Sequence, residues 1–379
     1  MIGYARNTVL FIAIFCTFFL MIFGGVYWLA GRWLTLSGIA LSSKRSRIAR
    51  SLLAVSVVVL CGLWRAVVII VLHIILCALV CELAALIVRR FAERFRGKKA
   101  YSVMRAVYRS AAVPLLVTAI VFAYGFVNMR HIYRTEYTVV SEKLTSDFRV
   151  ILLADTHFGS VQSPKILAEK IDEINALKPD AVILGGDIVD ESATLEDVYE
   201  CFEIFGRLES RFGTFYVYGN HDRQEYSVES ERAYTERELA DAIGSFGITV
   251  LRDEEVALSE EVTLVGREDR SSEESDRLTS AELLKDADRS KFIIVADHQP
   301  VETAENAAQG ADLQVSGHTH AGQIFPLGVL IELSGRLNYG EYKVDGMTAI
   351  VSSGTAGWGF PIRTQEHCEY VLIDIVPAR

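Results

Sequence analysis

The sequence predicts an α/β domain preceded by a bundle of membrane helices. Three observations support that expectation. The 379 residues divide by charge: 1–147 hold 18 Lys and Arg against 5 Asp and Glu, whereas 148–379 hold 20 against 43. The first part contains long apolar runs with few charges, and the second alternates short apolar runs with stretches of helical period. Length and composition therefore divide the chain into a transmembrane helical region (1–130), a polar tether (131–147) and a folded domain (148–379).

Residues 8–30 form an uncharged apolar run long enough to cross a hydrocarbon core, with Trp28 and Trp33 near its end as interfacial aromatics. The run is long for a cleaved leader and more apolar segments follow, so an anchor is the better reading. Residues 51–88 as one straight helix would extend about 57 Å, nearly twice the bilayer core. Dividing them around Gly62–Arg65 gives spans at 46–63 and 66–88, and a fourth covers 110–128, interrupted only by Pro114. Arg32, Lys44, Arg45, Arg47 and Arg50 then lie between the first two spans or at the start of the second. Arg89, Arg90, Arg94, Arg96, Lys98, Lys99, Arg105 and Arg109 lie between the last two. With four spans both basic loops fall on one side, as cytoplasmic loops do; with three they fall on opposite sides. Four spans make this a multi-pass protein of the cell membrane with its polar domain outside the cytoplasm. His73 and Glu82 fall within the third span on roughly opposite faces. Packing or snorkelling explains them better than an ion path, and a transporter is not supported.

In the polar half, 148–154 reads as a buried strand, and Ser163-Pro164 opens a helix to about 177, with proline suited to the first turn. A strand at 181–184, a helix near 194–209 and strands at 214–218, 292–296 and 313–315 follow. Further strand-like runs at 348–352 and 370–375 are consistent with a second sheet. Residues 268–290, charged and rich in serine, read as a surface loop with a short helix.

Five of these strands end at blocks of metal-binding residue types: Asp155-Thr156-His157, Gly186-Asp187-Ile188-Val189-Asp190, Gly219-Asn220-His221-Asp222, His298, and Gly317-His318-Thr319-His320. The carboxyl edge of an open α/β sheet is where ligands bind. The blocks use five of the eight histidines and no thiolate, a ligand chemistry suited to borderline or hard divalent ions. One metal needs three or four ligands; this set is large enough for two sharing a bridge, the arrangement that serves in-line displacement at phosphorus. In the DxH and HxH blocks, residues two apart on an extended segment project to the same side and can reach one ion. Any one of these histidines alone would more often be a satisfied core or surface residue. Their ordered collection after strands removes that reading.

Other features say less. The acidic surface of the second half argues against a polynucleotide substrate through steering alone. Cys16, Cys61, Cys77 and Cys81 lie in apolar helices; Cys201 and Cys368 are either a disulfide, if their domain is extracytoplasmic, or two buried thiols.

The order DxH, GDxxD, GNHD, isolated His and GHTH resembles the calcineurin-like metallophosphoesterase superfamily. Gly357-Trp358-Gly359-Phe360-Pro361-Ile362-Arg363 resembles the end of its bacterial branch of membrane-anchored phosphoesterases with amino-terminal transmembrane helices. The resemblance implies a four-layer α/β/β/α sandwich. It also implies two divalent ions (Mn, Fe or Zn), the first held by Asp155, His157 and His320 and the second by Asn220, His298 and His318, with Asp187 bridging. His221 would assist the leaving group as a non-ligand acid, with Asp222 orienting its ring, and Asp190 would accept a hydrogen bond from a ligand. The implied function is phosphoester hydrolysis by metal-bound hydroxide at the membrane surface. A phosphodiester or pyrophosphate is favoured over a monoester on the branch resemblance, and a lipid-linked substrate is one option. The alternative is a catalytically inactive metal-binding sensor or interaction domain on a membrane anchor, against which the presence of every ligand and of His221 argues. Two departures stand out: Ala154-Asp155-Thr156-His157 replaces a more usual Ser-Asp-Leu-His, and Asp297, which would orient a ligand or face solvent, precedes His298. Arg363 would contact either a substrate phosphate or an acidic surface group. Tyr339 and Trp358 are read as packing residues, and His367 as one without a special role.

Overall fold

The computed structural model describes residues 2–92, 99–159, 162–271 and 277–378. The chain divides into two compact units, Met1–Ala123 and Tyr124–Arg379. The first contains α1 (Ile2–Leu36), α2 (Lys44–Leu63), α3 (Arg65–Ala92), α4 (Lys99–Ser110) and most of α5 (Ala112–Asn128). Ser43 starts α2 by accepting the Ser46 amide at 3.0 Å, an N-cap that satisfies one orphan donor. The break between α2 and α3 falls at Trp64, whose extended backbone (φ −131°, ψ 106°) ends one span and frees the next. Among the described residues three helices are long and apolar enough to cross a membrane. A fourth crossing results if the pair α4–α5, bent by 56°, counts as one span. Expected as part of a basic loop, α4 is an amphipathic helix; Arg94, Arg96 and Lys98 lie outside the described residues. Glu82 on α3 has a partner after all: Arg32 at 2.8 Å, with the Tyr108 hydroxyl at 2.7 Å. A carboxylate neutralised in this way is tolerated inside an apolar bundle.

The second unit contains β1 (Ile132–Ser141), β2 (Phe148–Leu153), α6 (Pro164–Ala176), β3 (Ala181–Leu184), α7 (Leu195–Phe205), β4 (Thr214–Tyr216), α8 (Glu236–Ser245) and β5 (Ile248–Val250). There follow β6 (Glu254–Ala257), β7 (Val262–Gly266), α9 (Ser280–Leu283), β8 (Phe292–Ala296), α10 (Thr303–Ala308), β9 (Leu313–Ser316), α11 (Leu327–Leu333), β10 (Gly340–Val344), β11 (Met347–Val351) and β12 (Cys368–Pro377). Two six-stranded sheets result, ordered β1-β12-β2-β3-β4-β5 and β10-β11-β9-β8-β7-β6. Their facing sides interdigitate Val150, Leu152, Ile183 and Ile373 with Leu264, Ile294, Val315 and Ile350 in one dry core. The outer face of the first sheet packs on α6, α7 and α8 through Ile171, Phe202 and Ile243, and that of the second on α9 and α10 through Leu284 and Ala307. This is the four-layer α/β/β/α sandwich. The central strands of each sheet are buried on both faces, which is why they read as continuous apolar runs.

Two expectations change. Residues 132–141, taken as tether, form edge strand β1, parallel to β12 over all ten residues from Ile132↔Cys368 to Ser141↔Pro377. An edge strand with one solvated side holds Arg134, Glu136 and Thr138 outward and looks polar in sequence. The run at 370–375 joins the first sheet rather than the second, because β12 inserts antiparallel to β2 (Ile373↔Val150).

Candidate metal centre

Five parallel strands, three from one sheet and two from the other, deliver the ligand blocks to one edge. Asp155 follows β2 by two residues, Asp187 follows β3 by three and Asn220 follows β4 by four, while His298 and His318 each follow β8 and β9 by two. The register Leu153↔Leu184 and Leu184↔Tyr216 ends the first three strands level. The loops then meet with almost no free space. A Cβ at Gly219 would overlap the Asp187 carboxylate, and one at Gly317 would overlap that of Asp155. Asp155, His157, Asp187, His318 and His320 all adopt positive φ, between 43° and 72°. Left-handed backbone at a residue with a side chain costs on the order of 1–3 kcal/mol and persists only where its surroundings dictate it.

Two groups of ligand atoms form. Asp155, His157 and His320 make one, Asp187, His298 and His318 the other, each with its atoms within 4.8 Å of one another. His157 Nδ1 lies 3.1 Å from Asp190 Oδ2, which makes that nitrogen the donor and leaves Nε2 as a lone pair, 3.3 Å from His320 Nε2. Asp190, expected to accept from a ligand, stands beside His157 Nδ1. His298 Nδ1 lies 2.9 Å from the Gly185 carbonyl, so its Nε2 is likewise free. That buried atom is 3.1 Å from Asp187 Oδ2 yet is not aligned to share a hydrogen with it. Lone pairs facing one another in a dry pocket repel unless a cation lies among them. The residues present therefore fit a metal ion in each group. Asp187 Oδ2 is also 3.8 Å from His157 Nε2, so one carboxylate reaches both groups. Asn220 Oδ1 lies 2.8 Å from His318 Nδ1, which adds the amide to the second.

Residues 148–322 match the family model for calcineurin-like phosphoesterases. The chain carries a calcineurin-like phosphoesterase domain. It is 33% identical over 246 residues to an uncharacterized metallophosphoesterase of Helicobacter pylori, covering 64% of this chain and 63% of that one. A transmembrane protein with metallophosphoesterase domain from Danio rerio is 27% identical over 282 residues, 72% of this chain and 64% of its own length. An uncharacterized metallophosphoesterase of Aquifex aeolicus is 26% identical over 275 residues, 69% of this chain and 98% of its own length. The chain thus spans just under two thirds of the first two relatives.

Within the phosphoesterase domain His221 and Asp222 part company. The buried Asp222 carboxylate does not meet the His221 ring. It accepts the amides of Gly219 (2.6 Å), Asp187 (2.8 Å), Ile188 (2.8 Å) and Val189 (3.1 Å), tying two ligand loops together. Adjacent residues on a tight turn point to opposite sides, so the ring takes its partner from elsewhere: His221 Nδ1 pairs with Glu191. The ring centroid lies 5.2 Å from that of His157, and 5.1 Å from those of both Tyr226 and Trp358. Glu191 was missed in the sequence, although it directly follows the second block.

Charge in the phosphoesterase domain follows these contacts. Burial alone would raise Asp187, but the charge that His298 and His157 carry when protonated holds it well below the usual carboxylate range. Asp187 in turn holds His298 well above its ordinary value, so the carboxylate favours a cation, proton or metal, on the facing nitrogens. Burial pushes Asp155 up to about 6, and burial with the Asp187 charge does the same to Asp222. His318 is pushed down to about 4 by burial and His320 well down by burial and His157, so both are neutral, lone-pair-bearing rings at neutral pH. Burial would lower His221, but the Glu191 hydrogen bond and the Asp187 charge raise it above its ordinary value.

Several other expectations resolve differently. Buried Asp297 neither orients a ligand nor faces solvent; Arg277 holds it at 2.6 Å. Arg363 is fully buried and donates to the carbonyls of His320 (2.8 Å), Ser353 (2.8 Å) and Ala356 (2.7 Å), fixing the loops around His320. Tyr339 donates to buried Glu369 at 3.1 Å, while Trp358 is exposed beside His221. His367 lies 3.4 Å from Glu369. Cys201 and Cys368 are both buried free thiols.

Proposed function

We propose that the protein is a two-metal phosphoester hydrolase, acting on a phosphodiester or pyrophosphate in preference to a monoester. The observation on which this rests is Asp187, whose Oδ2 lies 3.8 Å from His157 Nε2 in one ligand group and 3.1 Å from His298 Nε2 in the other. A carboxylate between two imidazole clusters is placed to bridge two dications. Asp155, His157 and His320 would hold one, Asn220, His298 and His318 the second. Bound there, two divalent ions supply the lowered pKa of a coordinated water and the polarisation of phosphoryl oxygens.

The chain's own residues do the rest. Asp190 keeps the His157 proton on Nδ1, and the Gly185 carbonyl keeps that of His298 on Nδ1, so both Nε2 atoms stay available as ligands. Glu191 fixes the His221 ring through Nδ1 and favours its imidazolium, so that Nε2 bears a proton that can pass to the leaving oxygen. Asp222 holds the 187–189 and 219–222 loops at fixed separation. The preference for a diester rests on the resemblance of the motif set to its membrane-anchored branch.

The full chain in detergent with Mn²⁺ is expected to hydrolyse bis-nitrophenyl phosphate faster than the monoester, with Asp187→Asn lowering the rate about 10³-fold. His221→Ala should keep both metals by elemental analysis while losing about 10²–10⁴-fold in turnover. No hydrolysis above Asp187→Asn with Mn²⁺, Fe²⁺ or Zn²⁺ would sink the proposal. We place the domain outside the cytoplasm on the two basic loops; an alkaline phosphatase reporter fused after residue 131 should be active, and an inactive one reverses the orientation.

A further inference from the structure

The second unit exposes a group of large apolar side chains that its own fold does not use. Phe325, Leu327, Leu330 and Leu333 project from α11 and the turn before it, immediately after the ligand His320, and Leu333 is 79% exposed. The segment 324–337 contains only two charges, Glu332 and Arg336, in a domain with 63 Asp, Glu, Lys and Arg over residues 148–379. Monomeric soluble domains rarely leave such a patch contiguous and bare.

Its neighbours indicate the occupant. The last turn of α5, Tyr124–Asn128, belongs to this unit and exposes Tyr124, Phe126 and Val127. A Cβ on Gly125 would press on Thr364 at 3.0 Å and on the Arg363 carbonyl at 3.1 Å, and Asn128 Nδ2 donates to that carbonyl at 3.2 Å. The same strip then holds the patch: the Phe325 amide donates to Thr364 Oγ1 at 3.0 Å and the Gly328 amide to Gln365 Oε1 at 3.1 Å. The patch is therefore continuous with the end of an apolar helix that, paired with α4, passes as a membrane crossing. Arg130 lies over the Phe126 ring at 3.5 Å, and Trp358 is exposed on the same loop as Arg363. Leucine and phenylalanine with an aromatic and arginine fringe are what the headgroup–acyl boundary selects.

We propose that this apron, formed by the end of α5, the Phe325–Leu333 segment and Trp358, docks into the bilayer interface. Its occupant is a lipid surface. Because Trp358 also stands 5.1 Å from the His221 ring, docking holds the mouth of the centre at headgroup level. There, resting on the phosphoesterase reading, phosphoester groups of amphiphiles are presented without leaving the membrane.

The test does not depend on activity. The full chain with Cys16→Ser, plus Leu330→Cys or Leu333→Cys, is labelled with a bimane fluorophore and reconstituted into nanodiscs with or without brominated phospholipid. The parent without the added cysteine sets the baseline. Val140→Cys is the control: exposed, but eight residues beyond Ile132 on extended β1, about 26 Å along the strand. Insertion of 5–10 Å into the boundary should make bromine quenching at 330 and 333 at least about twofold stronger than at 140. Equal quenching at all three positions, or none at 330 and 333, overturns the proposal. Shielding of 330 with no bromine effect, together with 330–330 crosslinking, overturns it in favour of a second copy.

Discussion

Two clusters of charge sit side by side in the phosphoesterase domain and are built on opposite principles. In the first, Arg223, Arg252, Arg267 and Arg277 alternate with Glu236, Glu268, Asp297 and Glu302 in two closed rings, each cation meeting two carboxylates. Burial alone would raise Glu268, but the hydrogen bonds and charge of Arg223, joined by Arg252, hold it below the usual carboxylate range. The second cluster is the centre, where four aspartates and the imidazoles of His157, His298, His318 and His320 converge and, among the described residues, no arginine or lysine pairs with the ligand atoms. The arginine rings are neutralised by the chain itself. The centre offers its ligand atoms to a cation from outside. Local charge balance thus separates structure from function here better than burial does, since each cluster mixes fully buried members, such as Arg267 and Glu268 or Asp155 and His298, with partly exposed ones.

That contrast can be broken most forcefully in the rings. Glu268→Leu leaves Arg223 buried with only Glu236 at 3.5 Å, and removing one partner of a buried pair costs about 3–5 kcal/mol. Denaturant titration of the solubilised chain should show this loss equally with Mn²⁺ or with chelator; a loss that depends on metal would mean that the two clusters are one. Metal removal is next. With Mn²⁺ at 100 times its dissociation constant, the folded chain should gain about 2.7 kcal/mol over the chelated protein, and Asp187→Asn should gain far less. An equal gain in both would place the ion elsewhere. The smallest effect sharpens the picture within the centre. Asp190→Asn leaves every ligand in place but weakens the hydrogen bond that fixes His157, and should reduce metal affinity about 10–100-fold by titration while Glu268→Leu leaves it unchanged.

Much of the centre was legible because ligands must follow strand ends and the strands are apolar. Asp155, Asp187, Asn220, His298 and His318 stand within four residues of a predicted strand, and the structure brings all of them to one edge. What escaped the sequence were partnerships across the fold. The Glu191 pairing with His221 needs a loop curled back by 30 residues, and the collar that Asp222 makes for four amides depends on how two turns cross. Arg363 was open between a phosphate contact and an ion pair with a surface carboxylate; its two terminal nitrogens instead donate to three carbonyls. In the same way β1 was hidden by its solvated face, and the ion pairs of Arg267 and Arg277 by charges that look exposed until their carboxylates are found.

The Asp222 collar has a consequence for how this centre can change. One side chain grips the amides of Asp187 and Gly219, and so sets the spacing between the shared ligand and the turn bearing Asn220 and His221. Neither ligand group, nor His221 beside them, can be repositioned alone by moving a loop. Substitutions in the two turns will be non-additive. Variation has freer ground at the rim, around Tyr226, Trp358 and the apolar apron, where a side chain can be exchanged without shifting the gauge of the site.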